Sequence, residues 1–266
     1  MESDTPTWRR NSNKDSLVLN FIDHLEAITN APSVEELWEL HSTRMARYGF
    51  DRIILGYTRY RTTSSLGDPQ DWVVLTNQTP DYMRAFIDEG MYFNAPMVRW
   101  AMENDGACSW SWVAQNIDSL SQGELRTVEY NRSMGVTAGY TISFRSVTAR
   151  TKGAVALTAK KNMTQEQVDG IWEKHGRDIT LANNVAYLKL LTLPYARHRQ
   201  LTKRQREVLE FVGDGKTTAD IAYLMNLTPA TIEKHLRLAR EALDVDTTAQ
   251  AVLKAAFYNQ MFVIDA

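Results

Sequence analysis

Four helix-start signals crowd the stretch from Thr202 to Gln250. Thr202 with Gln205, Thr217 with Asp220 and Thr247 with Gln250 have capping-box spacing. There a threonine hydroxyl accepts from the backbone N–H three residues on, and that later side chain reaches back. Thr228 precedes Pro229, whose fixed φ suits a first helical position. The first helix ends near Gly213 or Gly215, and the second carries Ile221, Ala222, Leu224 and Met225 on its inner side. Asn226-Leu227 makes a tight turn, and the third helix runs to about Leu243. The fourth carries Ala251, Val252, Ala255 and Phe257. A short helix, a turn of about three residues and a second helix is the geometry that presents a helix to the DNA major groove. Ala222 is small where two helices approach closely, and Leu227 plugs the turn. Ile232, Leu236 and Ala239 face inward on the third helix, leaving Glu233, Lys234, Arg237 and Arg240 on its other side.

Charge does not decide between this reading and a plain helical bundle. The chain has 30 Lys and Arg against 32 Asp and Glu, a formal net charge of −2. A DNA-binding surface must therefore concentrate its basic groups on one face. The segment LTKRQREVLEFVGDGKTTADIAYLMNLTPATIEKHLRLAREALDVDTTAQAV resembles the helix-turn-helix of the LuxR/NarL family through nearly its whole length. Matching residues include Glu207-Val208-Leu209, Gly215-Lys216-Thr217, Asp220-Ile221-Ala222, Leu227, Thr231-Ile232, His235, Leu243 and Val245. The resemblance implies that Thr228 and Thr231 touch phosphates at a helix N-terminus. It also implies that Glu233, Lys234 and Arg237 read bases, and Arg240 on the same face is a further DNA-binding candidate. Arg237 suits guanine and Glu233 suits cytosine N4. The family has Lys or Arg at the position of Glu233 and Glu at that of Gln205, so the operator and the activation role differ here.

The preceding residues have a different pattern. Residues 1–15 read as a disordered tail, 16–191 as a second domain, 192–200 as a basic linker and 201–266 as the helical module. Helical periodicity runs from Ser16 to Asn30. A second helix begins with Ser33 and Glu36, buries Val34, Leu37, Trp38, His41 and Met45, and stops before Gly49. Strands are predicted over Arg52–Tyr60, Trp72–Thr76, Thr137–Ser146 and Gly153–Lys160. Helices are predicted over Pro80–Glu89, over Pro96–Asn104, from Ser121 to Gly135, and from Thr164 to about Leu191. This order is not a regular βαβ alternation. The fold class it predicts is α+β: an N-terminal α/β/α sandwich around an antiparallel sheet, followed by an all-α four-helix module.

The stretch from Tyr82 to Gly139 resembles the autoinducer-binding domain of LuxR-type quorum-sensing regulators. Its anchors are the spacing from Tyr82 and Phe86 to Pro96, then Trp110, then RSMGVTAGYTISF with Gly135 and Gly139. The resemblance implies a small-molecule pocket contacted by Tyr82, Phe86, Ala95, Pro96, Trp110 and Gly139. Thr158, Tyr57 and Asn94 are further candidate contacts. Tyr82 and Phe86 stand four apart and share a helix face, which with Met83, Met97 and Trp100 can line an apolar space. Three departures bear on the ligand. The family has Trp where this chain has Tyr82, Tyr where it has Phe86, and Asp where it has Ala95. Tyr82 still donates, but Phe86 cannot donate and Ala95 cannot accept. Each unsatisfied polar group on a buried ligand costs about 1–3 kcal/mol.

Other functions find little support. No acidic pair, phospho-acceptor Asp and late Lys are laid out as in a phospho-receiver. The five His show no metal spacing, and no Ser or Cys stands in a nucleophile motif. Cys108 is the sole cysteine, which excludes an intrachain disulfide and suits a reducing cytosol. The N-terminus lacks an apolar leader, and no run approaches a membrane span. The expectation is therefore a cytoplasmic, non-enzymatic regulator without cofactor or metal, whose partners are double-stranded DNA and a small molecule. The small molecule is an acyl-homoserine lactone or a related diffusible signal. A homodimer is expected, with RNA polymerase as a further partner. The alternatives are a non-lactone ligand or a ligand-independent dimerisation domain.

Overall fold

The computed structural model describes residues 21–63, 65–146, 148–195 and 200–263. The tail expected over 1–15, the start of the first helix and residues 196–199 of the linker lie outside these. Helices α1 (Phe21–Asn30) and α2 (Val34–Arg47) follow one another, with Ser33 capping α2 by accepting from Glu36 N–H at 3.2 Å. Val34, Leu37, His41 and Met45 are buried along α2, as the periodicity predicts. Gly49, at φ 101°, turns the chain into the sheet.

Among the described residues the sheet has five antiparallel strands: β1 (Phe50–Thr58), β2 (Val73–Thr76), β3 (Gly106–Ser109), β4 (Gly139–Phe144) and β5 (Lys152–Ala159). Their order is β2-β1-β5-β4-β3. Four strands were expected; β3, reading Gly-Ala-Cys-Ser, lacks the β-branched and aromatic residues that mark a strand, and forms by pairing with β4. Trp72 stands outside β2, closing a 3₁₀ turn over Pro69–Asp71.

Strand alternation sorts the side chains into two layers. Ile53, Leu55, Tyr140, Ile142, Phe144, Val155 and Leu157 pack against α1, α2 and the long helix α7 (Gln165–Leu190). The opposite face presents Gly56, Thr141, Ala154, Ala156 and Thr158, which are small, beside Ile54 and Val74. Large residues thus fill one layer, and small ones leave room in the other. That second layer is covered by α3 (Pro80–Met83), α4 (Pro96–Glu103), α5 (Ser111–Gln115) and α6 (Gln122–Ser133). The helix expected over Pro80–Glu89 is divided: after α3, Arg84–Asp88 forms a π turn closed by Glu89 N–H to Arg84 C=O at 3.0 Å. Such turns are rare and frequent at functional sites.

The C-terminal module contains α8 (Lys203–Gly213), α9 (Thr218–Met225), α10 (Pro229–Leu243) and α11 (Thr248–Phe257). Capping boxes at Thr202, Thr217 and Thr247 are formed as the spacing predicts. Asn226, at φ 54°, ends α9 in the left-handed region that short polar side chains tolerate. Val208, Leu209, Ile221, Ile232, Leu236, Ala239, Leu243, Ala251 and Ala255 form the module's core. Leu224, expected on the inner side of α9, is 53% exposed beside Tyr223 at 86%. A helix of eight residues has only a narrow inner stripe, and Ile221, Ala222 and Met225 fill it.

Candidate functional site

The small-residue face of the sheet and the helices over it enclose a cavity of about 590 Å³. Volumes of 300–1,000 Å³ or so are usual for small-molecule sites. Tyr82 and Phe86 form one wall, stacked at 5.8 Å and 16°. The Tyr82 hydroxyl donates to Asn131 Oδ1 on α6 at 2.9 Å, and burial raises its pKa, so it remains a neutral donor. Ala95 and Pro96 line the cavity where α4 begins, and Ala95 is an N-cap with no side-chain bond. Trp110 lines it too, its indole donating to Thr141 Oγ1 at 2.9 Å. Thr158 lies on the floor and accepts from Gln78 Nε2 at 3.3 Å.

Other expected contacts are placed differently. Gly139 is not in the lining. A Cβ there would lie 2.2 Å from Leu157 C=O and 3.0 Å from the Trp110 ring, so its role is to let that indole lie on β4. The Tyr57 backbone borders the cavity, but its ring packs edge-on to Tyr187 of α7 at 5.9 Å, on the other side of the sheet. Asn94 is exposed, with Oδ1 against Gly123. Met83 and Trp100 do not line the cavity, whereas Met97 and Ala101 do. Met83 follows Tyr82 by one residue and so leaves its helix about 100° around from it, and Trp100 stands three residues after Met97 and one before Ala101, on the edge of the lining stripe of α4.

Sequence reasoning missed Trp72, Gln78, Tyr92, Asn131 and Thr141. Trp72 and Tyr92 meet edge to face at 4.7 Å, and the Trp72 indole donates to Leu66 C=O at 2.8 Å. The aromatic character of Trp72 and Tyr92, beside Pro- and Gly-bearing turns, was a usable signal; Asn131 had none. Among the described residues no Asp or Glu lines the cavity. Lys152 at its edge pairs with Asp105 at 3.1 Å, and Arg132 is exposed. The cavity lining is therefore mostly apolar, with several neutral polar groups, the paired cation Lys152 and the exposed Arg132.

The DNA-binding candidates of the C-terminal module lie on α10. Thr228 accepts from Thr231 N–H at 3.2 Å, and the two hydroxyls meet at 2.9 Å, at the exposed N-terminus of the helix. Glu233, Lys234 and Arg237 are exposed along one side. Glu233 accepts from Thr218 of α9 at 2.8 Å, joining the two helices. Arg237 pairs with Glu241 one turn on. Arg240 is half-buried and donates to Thr248 Oγ1 at 3.0 Å, tying α10 to α11.

Residues 33–190 match the family described as "Autoinducer binding domain", and residues 199–255 match "Bacterial regulatory proteins, luxR family". The transcriptional activator protein AnoR of Acinetobacter nosocomialis is 24% identical over 242 residues, 88% of this chain and 95% of AnoR. The transcriptional activator protein LuxR of Aliivibrio fischeri is 22% identical over 190 residues, 70% of this chain and 73% of LuxR. Among solved structures, Escherichia coli SdiA aligns over 91% of this chain and 98% of its own at 15% identity, with a TM-score of 0.49. These regulators are not enzymes, and no described helix is long and apolar enough to cross a membrane. The cavity-bearing domain and the helix-turn-helix module together place the chain in the family of LuxR-type autoinducer-binding transcriptional regulators.

Proposed function

We propose that this regulator binds a neutral, largely apolar diffusible molecule in the cavity and reads double-stranded DNA through α10 as a homodimer in the cytoplasm. RNA polymerase is a further partner. The observation that carries the ligand reading is the cavity's composition: an apolar wall, a few neutral polar groups and no carboxylate among the described lining residues. An acyl-homoserine lactone offers an apolar chain and a compact polar head. The Tyr82 hydroxyl, whose proton goes to Asn131, offers its oxygen as an acceptor near that head, while Gln78 and Thr158 supply neutral donors and acceptors. A non-lactone ligand is the second reading. Ala95 and Phe86 favour it, because neither engages a ligand amide or acyl carbonyl by hydrogen bonding.

On the DNA side, Thr228 and Thr231 hold phosphate, and Glu233, Lys234 and Arg237 face base edges. Arg240 supports the helix through α11. Dimers of helix-turn-helix modules read paired half-sites, and relatives described as transcriptional activators support an activating role.

Two measurements test this. Thermal unfolding with octanoyl-homoserine lactone, and with octanoyl glycerol as a non-lactone of equal chain length, separates the two ligand readings. A ligand bound only to the native state raises Tm with concentration. A rise with the lactone supports the first reading and a rise with the glycerol ester alone supports the second. No rise with either, nor with extracts of signal-producing bacteria, defeats both. Selection of duplexes from a random pool tests the DNA claim, which fails if no sequence is enriched.

A further inference from the structure

Helix α11 belongs to the core of the DNA-reading module, yet one of its sides is seated on the cavity-bearing domain. Lys254 Nζ lies 2.8 Å from Asp71 Oδ1, and the Tyr258 hydroxyl donates to the same oxygen at 2.7 Å. The two charged side chains are only 8% and 11% exposed. Around them the Phe257 ring meets Tyr60 at 6.0 Å and lies under the Arg59 guanidinium at 5.4 Å. Asn259 Nδ2 donates to Leu191 and Leu193 carbonyls at 2.8 and 3.0 Å.

Asp71 ends the 3₁₀ turn Pro69–Asp71, and the next residue is Trp72 of the cavity wall. Trp72 N–H donates to Pro69 C=O, its indole to Leu66 C=O, and its ring rests on Tyr92. One short turn thus faces the cavity on one side and grips α11 on the other. A second link runs through Thr58, a cavity residue whose hydroxyl accepts from Tyr60 N–H at 3.0 Å.

We propose that the contact of Asp71 with Lys254 and Tyr258 is a latch through which occupancy of the cavity sets the position of the DNA-reading module. The proposal rests on reading the cavity as a ligand site. A molecule seated against Trp72 holds the 3₁₀ turn, the turn holds Asp71, and Asp71 holds α11. Helix α11 in turn fixes α10 through their shared core and the bond from Arg240 to Thr248. A buried ion pair suits this work better than an apolar contact, because a misplaced partner leaves a charge desolvated and unpaired. The pair therefore favours one docked arrangement over nearby ones. The exposed side chains of α10 stay uncovered in the docked arrangement, so the latch orients the reading helix and does not mask it.

Hydrogen exchange of the full chain, without ligand, tests the latch. Asp71→Asn and Lys254→Met should each speed exchange over residues 248–258 at least tenfold, while peptides around Val208 and Leu209 stay protected. Trp72→Ala, which removes the cavity-side ring and its bond to Leu66 and leaves Asp71 in place, should do the same. If Trp72→Ala does not fold, Trp72→Phe, which removes the bond to Leu66 and keeps a ring, is held to the same criterion. Exchange in α11 that is unmoved by Asp71→Asn and Lys254→Met overturns the latch. Exchange moved by those two but not by the Trp72 variant reduces it to a static domain contact. Repeated with octanoyl-homoserine lactone or octanoyl glycerol, whichever raises Tm, the exchange should slow over residues 248–258 in the wild-type chain and not in Asp71→Asn; a Tm rise without that slowing overturns the latch and leaves the ligand reading standing, whereas no Tm rise is failure of the ligand reading alone.

Discussion

The two halves of this chain are built by different means. In the C-terminal module each helix carries its own start signal within three residues, and the core follows from short-range periodicity. In the sensor domain the functional space is an absence: it exists because Gly56, Ala154 and Ala156 are small on one sheet face while Ile53, Leu55, Val155 and Leu157 are large on the other. Local signals specify elements, whereas a cavity is specified by which residues stay small in layers brought together from distant parts of the chain.

If that contrast is right, the sensor fails most sharply where two distant layers touch. Gly139→Val has the largest expected effect. The new side chain meets Leu157 C=O and the Trp110 ring together, and backbone cannot yield. A loss of about 4 kcal/mol or more is expected in urea unfolding of the sensor, with the reading module's transition unmoved.

The next effect is set by pH. His24 and His41 are buried and stacked at 6.2 Å, and burial lowers each pKa to about 4 from 6.5. Between those values the unfolded chain binds more protons than the folded one. Stability is therefore complete above about pH 6.5 and is lost as pH falls toward 4. Unfolding followed separately in each domain should show this slope in the sensor, and His41→Gln should flatten it.

Smaller effects belong to the reading module. Arg237→Ala should weaken binding to a selected operator by about 2 kcal/mol and relax its sequence preference, whereas Lys203→Ala changes affinity little. Equal losses in a competition assay would remove Arg237 from the groove. Thr228→Ala deletes one cap and should lower the module's stability by about 1 kcal/mol, read from its Tm. A larger loss would mean that the hydroxyl pairing of Thr228 with Thr231 also supports the turn.

Legibility followed the same division. The four C-terminal helices stand where their caps predict, because a cap is a bond between residues three apart and leaves its spacing in the sequence. Leu224 was misjudged because an apolar residue on a short helix does not announce whether the stripe reaches it. In the sensor, four of the five strands and the long α7 were readable, but β3 was not, since its four small residues become a strand only against β4. Tyr82, Phe86, Ala95, Pro96, Trp110 and Thr158 all line the cavity. Asn94, Met83 and Trp100 point elsewhere, because an apolar or polar residue next to a lining position does not announce on which side of a short turn or helix it stands.

By itself the sequence determined the caps and order of the four C-terminal helices, the buried stripe of α2, and the residues on the outer face of α10. All of these rest on interactions between near neighbours. Only the tertiary structure decided that Trp72, Tyr92 and Asn131 share a wall with Tyr82, that Tyr57 turns to α7, and that Asp71 meets Lys254 across the domains. Those pairings join residues far apart in the chain, and no periodicity or spacing records a contact that forms only when separate layers close on one another.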